Sequence, residues 1–94
     1  MSNADRFLNA YAQIEKELKR ILDVKRHPRF YELLDLACKK NNQVIHKYKC
    51  DLKEFGDLRN AIVHNRAGGK IIAQPTDDTV EKIEKIARLL LKPP

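Results

Sequence analysis

Three side chains in the stretch Leu58-Arg59-Asn60-Ala61-Ile62-Val63-His64 could do chemistry together. An imidazole exchanges protons near neutral pH, a guanidinium stays charged and grips oxyanions, and a carboxamide both donates and accepts hydrogen bonds. Such a set suits proton transfer beside a stabilised anion. Asn60 and His64 are four residues apart, so on a helix they share one strip of surface. The amide can then orient the imidazole or contact the same ligand. His64 falls just before Asn65 and the glycines at 68 and 69, where a helix ends and its negative pole favours a cation.

A helix must carry these groups. Asp51 and Glu54 have capping-box spacing, which predicts a helix start at Asp51, and Leu52, Phe55, Leu58 and Ile62 recur at three- and four-residue intervals. Arg59 lies only about 40° from Phe55 around that helix, inside the apolar stripe. A guanidinium there needs acceptors, a wet cleft or an anion. Arg59 and His64 are about 140° apart around the axis. They converge only if the arginine swings over, the helix end unwinds or a second copy contributes. The plainer reading is an arginine that snorkels to solvent and an ordinary solvated histidine.

Arg59-Asn60 followed by His64, late in a helix of a short helical chain, resembles the signature of HEPN domains, an Arg and a polar residue with four to six residues between the Arg and a His; here four intervene. The resemblance covers most of the chain. It implies a small helical bundle and, in catalytic members, a metal-independent endoribonuclease site formed where two protomers meet, with Arg59, Asn60 and His64 as its residues. Other members keep the fold without cutting.

Ninety-four residues make one domain near the lower size limit for a single core, which a partner subunit would relieve. At 43% hydrophobic and 34% charged residues the chain reads as globular. It has no apolar run long enough to span a bilayer and no apolar leader. Cys38 and Cys50 are the two cysteines, without metal or secretory spacing, so reduced thiols and a cytoplasmic location are expected. The net charge of +6 is uneven, with eleven Lys and Arg against six acids in residues 1 to 50. That favours polyanionic partners, nucleic acid above all, although a solvated surface is the commoner explanation of scattered lysines.

Along the chain, Phe7, Tyr11, Ile14, Leu18 and Ile21 predict an amphipathic helix from Asp5 to about Val24. Ser2-Asn3-Ala4 resembles the remnant of tag removal and carries no functional argument. Lys25-Arg26-His27-Pro28-Arg29 predicts a turn, in which Arg26 and Arg29 could grip phosphate or form a solvated connection. Phe30, Leu33, Leu34 and Ala37 mark a second helix ending near Lys39-Lys40-Asn41-Asn42, and Val44, Ile45 and Tyr48 predict a short extra turn over 44–49. His46 and Cys50 are four apart, but no second pair completes a zinc site. Residues 65–75 form the longest break. There Gly68 and Gly69 give freedom, Arg66 and Lys70 place cations beside His64, and Ile71-Ile72 suits an apolar anchor. Thr76, followed by Asp77, Asp78 and Glu81, starts the last helix, which Pro93-Pro94 ends. The double proline reads as a linker out of a domain cut from a longer chain. This arrangement is similar to HEPN modules fused to regulatory CBS domains.

The expected fold is therefore all-α, an antiparallel four-helix bundle of HEPN-like type with a short extra helical turn. Two functions compete: an RNA-cleaving enzyme working as a homodimer without metal or cofactor, and a non-catalytic dimerisation or nucleotide- or RNA-binding module of a larger regulatory protein. A toxin neutralised by an antitoxin partner is a third possibility.

Overall fold

The computed structural model describes residues 2–26, 28–64, 66–67, 70–71 and 74–92, with backbone alone at 66–67 and 70–71. Helix α1 (Asn3–Leu22) starts where the Ser2 hydroxyl accepts from the amide of Asp5. It stops at Asp23, whose left-handed backbone (φ 51°) lets the amides of Asp23 and Val24 return to the carbonyls of Arg20 and Lys19. Helix α2 (Phe30–Lys39) is closed the same way by Asn41 (φ 60°) and Asn42. The His46 Nε2 adds a contact at 2.9 Å to the carbonyl oxygen of Cys38.

Helix α3 (Gln43–His64) corrects two expectations. It runs unbroken from Gln43, so Asp51 lies in its interior, and the extra turn expected over 44–49 is its own beginning. The Asn42 Oδ1 accepts from the amide of Ile45 at 3.1 Å and supplies the cap. Ile45, Tyr48, Leu52, Phe55 and Ile62 then form one buried stripe with no glycine or proline before position 56 to interrupt it. A second cap signature cannot start a helix that already has its hydrogen bonds. Asp51 instead accepts from Lys82 Nζ at 3.0 Å.

Strands β1 (Arg66–Ala67) and β2 (Lys70–Ile71) pair antiparallel, Arg66 opposite Ile71 and Ala67 opposite Lys70, where the sequence predicts only a loop. Helix α4 (Asp77–Leu91) begins at Thr76, whose hydroxyl accepts from the amide of Thr79.

The helices are not antiparallel throughout. Phe30 approaches Gly56, Asp35 pairs with Lys49 and Cys38 meets His46, so α2 and α3 form an antiparallel hairpin. Contacts between α1 and α4 ascend in step, from Asn3 with Asp77 to Arg6 with Glu84, and these two helices run parallel. Phe7 against Phe55 and Tyr11 against Arg59 give α1 and α3 the same sense. Asn3 and Ala4 tie the starting end of α1 to the Pro75 carbonyl and the Gln74 side chain.

All four helices bury an apolar stripe in one core, with Phe7, Ile14, Leu18, Leu33, Leu34, Ile45, Leu52, Ile62, Ile83 and Ile86 fully enclosed. Its one buried charged side chain among the described residues is Glu17, which pairs with Arg20. Among the described residues no helix is long and apolar enough to cross a membrane.

Candidate functional site

Where α1, the start of α2 and α3 meet, they leave an open groove of about 690 Å³. Its α3 wall is made by Lys53, Gly56, Asp57 and Asn60, which the i, i+3, i+4, i+7 spacing places on one face, with Arg59 beside them. Tyr11 and Glu15 come from α1, and Arg29, Phe30 and Tyr31 from the start of α2.

Of the acceptors, wet cleft or anion that the sequence left open for Arg59, the structure places it at this groove with the Asn60 carboxamide as an acceptor. Its guanidinium carbon lies 5.9 Å from the centre of the Tyr11 ring, and its Nη1 donates to Asn60 Oδ1 at 3.2 Å. A cation over an aromatic face keeps favourable electrostatics without losing water entirely. The Tyr11 ring packs in turn on Phe30, with centroids 4.4 Å apart. Burial pushes the Tyr11 hydroxyl well above its ordinary pKa, the Glu15 carboxylate adds to this, and Arg59 pulls the other way. Tyr11 therefore stays neutral at physiological pH.

Gly56 faces these parts with room for a methyl group. A Cβ at that position would stand 3.5 Å from Phe30 Cδ2 and 3.8 Å from the Tyr11 hydroxyl, ordinary contact distances that a larger side chain would exceed.

The structure brings together only part of the expected set. Arg59, Asn60 and Arg29 line the groove, whereas His64 is not among its lining residues and is exposed in the last turn of α3. The carboxamide of Asn60 serves Arg59, not the imidazole. Arg26 stands apart, 78% exposed and 3.9 Å from Glu32. The side chains of Arg66 and Lys70 lie outside the described residues, as do His27, Gly68, Gly69, Ile72 and the Pro93-Pro94 pair. Among the described residues no three His, Cys, Asp or Glu are grouped to hold a metal ion.

Sequence reasoning missed Tyr11, Phe30, Tyr31, Lys53 and Gly56 as groove residues. A signal existed for the last two, because positions 53, 56, 57 and 60 share one face of a helix. Tyr11 followed the apolar period of α1 and read as core.

Fold and groove together define a small helical bundle with an aromatic, cation-bearing cleft. Comparison of the chain with protein-family models, curated proteins and solved structures finds no match in any of the three.

Proposed function

We propose that the chain is a HEPN-like, metal-independent endoribonuclease that works as a homodimer. The observation that carries the reading is the placement of the Arg59 guanidinium, hydrogen-bonded to Asn60, at an open groove and not in sealed core. In this mechanism a neutral His64 removes the proton from a ribose 2′-hydroxyl, and the alkoxide attacks the adjacent phosphorus. A protonated His64 of the second protomer delivers its proton to the leaving 5′-oxygen. The products are a 2′,3′-cyclic phosphate and a free 5′-hydroxyl. Arg59 stabilises the charge on the pentavalent phosphorus, and Asn60 positions the phosphate. One imidazole per protomer cannot be acid and base at once, and a two-fold axis supplies the second.

The test is incubation of the purified protein with mixed RNA in EDTA, with the new ends analysed for 2′,3′-cyclic phosphate. Their appearance, and their loss with His64→Ala, is the expected result. Intact RNA at stoichiometric protein would end the enzyme reading.

One observation favours a second reading. The Arg59 guanidinium already has the Tyr11 ring and Asn60 as partners, and His64 stands outside the groove. On that ground the chain would be a non-catalytic dimerisation or RNA-binding module of a regulatory protein.

A further inference from the structure

The groove holds groups that the cleavage step does not use. Tyr11 and Phe30 pack against each other at a tilt of 31°, and Tyr11 also carries Arg59. Tyr31, the next residue, is 50% exposed at the same groove and makes no ring contact among the described residues. A lone half-exposed tyrosine is ordinary on a protein surface, and what points to a ligand is that this one lines a groove that also holds Arg29 and Lys53.

Lys53 already acts at longer range on the Asp35 carboxylate. Arg29 and Lys53 line the groove and form no ion pair among the described residues, and neither does Asp57, although Lys53 and Asp57 stand four apart on one helix. With Arg59 the groove carries three cations against the carboxylates of Glu15 and Asp57.

We infer that this groove binds single-stranded RNA, with one unpaired base stacked on Tyr31 and the flanking phosphates against Arg29 and Lys53. The inference deepens the ribonuclease reading by stating the form of its substrate, and rests on that reading for the choice of polymer. Bases in a duplex hide their faces, so a stacking platform selects the unpaired strand, while the cations track its backbone. Glu15 and Asp57 reject a further phosphate and accept hydrogen bonds from amino and ring N–H groups of a base. The excess of cations over carboxylates in the groove, within a chain of net charge +6, supplies the complementarity that a polyanion needs.

The experiment is fluorescence anisotropy of the full chain in EDTA with a short labelled 2′-O-methyl oligoribonucleotide, alone and annealed to its complement. The probe has no free 2′-hydroxyl and cannot be cut by the proposed route, so binding is read separately from cleavage. The single strand should bind more tightly than the duplex. Tyr31→Ala should weaken it roughly tenfold or more, with recovery in Tyr31→Trp, as expected for a lost and restored stacking face. Arg29→Ala and Lys53→Ala should each lower the slope of log affinity against log salt by about 0.7. Unchanged affinity in a folded Tyr31→Ala protein, or equal binding of duplex and single strand, would overturn the inference. Tight probe binding through Tyr31 with no cleavage of natural RNA would end the ribonuclease reading and leave this one standing.

Discussion

The guanidinium carbon of Arg59 on α3 sits 5.9 Å from the ring centre of Tyr11 on α1, so the charge that breaks the apolar stripe of α3 rests on the face of a neighbouring helix. That contact gives a permanent cation in the stripe a favourable partner beside the groove it lines. Arg59→Ala should reduce RNA cleavage at least a hundredfold, the scale of losing a charge stabiliser in the transition state. It should cost only about 0.5–1 kcal/mol of stability, the worth of an exposed cation–π contact. Cleavage assays beside thermal melts check both, and a large stability loss would assign Arg59 to structure.

His64 is exposed at the end of α3 and makes no hydrogen bond or ion pair among the described residues. His64→Ala should therefore leave stability within about 0.5 kcal/mol of the parent. If His64 is the proton carrier, the same substitution removes cleavage. Unaltered cleavage in a melt-neutral variant would remove the imidazole from the mechanism.

The true start of α3 can be measured. Asn42 caps the helix through Ile45, so Asn42→Ala should cost about 1 kcal/mol. Asp51 holds only a surface ion pair with Lys82, and Asp51→Ala should cost between about 0 and 1 kcal/mol, with no loss of helical signal over 43–50. Chemical denaturation of both variants with circular dichroism separates them. A larger penalty at position 51 would restore Asp51 as a helix start.

Gly56 weakens the middle of α3, because glycine disfavours helix by roughly 1 kcal/mol relative to alanine. A Cβ there meets Phe30 at an ordinary contact distance of 3.5 Å. Gly56→Ala should raise the melting temperature by a few degrees, about 4–8 °C for each kcal/mol in a domain of this size. Gly56→Leu should narrow the groove and weaken oligonucleotide binding. Equal binding by the leucine variant would show that the groove is not where the ligand lies.

Acid should destabilise the fold. Arg6 holds the Glu84 carboxyl below its ordinary pKa, Arg20 does so for Glu17, and Lys49 for Asp35. Each of these groups binds its proton more weakly folded than unfolded, so the unfolded state takes up more protons and stability falls as pH falls. The contribution is complete above the unfolded values, about 3.9 for Asp and 4.3 for Glu, and is lost as pH drops through the lower folded values. Melts between neutral pH and strong acid should fall in that window, and Glu17→Gln should flatten the fall. A profile with no slope there would mean that these pairs do not titrate with folding.

Several local features were legible in the chain alone. The apolar periods of α1, α2 and α4, the Asn41-Asn42 turn and the Thr76 cap depend on residues within four positions of one another, and periodicity and capping chemistry report that range directly. The reading failed at Asp51 because two cap signatures compete for one helix, and only the continuous stripe from Ile45 to Ile62 decides between them.

By itself, then, the sequence determined the apolar periods of α1, α2 and α4, the turn and cap that bound them, and that Arg59 must find an unusual environment. Tertiary structure alone decided that α1 and α4 run parallel, that Tyr11 rises under Arg59, and that Arg29 and Tyr31 join Lys53 at one groove while His64 stands outside it. The physical reason is range. A helix is written in hydrogen bonds between near neighbours, whereas the groove is a property of how three helix surfaces interlock, and no spacing along one helix encodes which residue of another will face it.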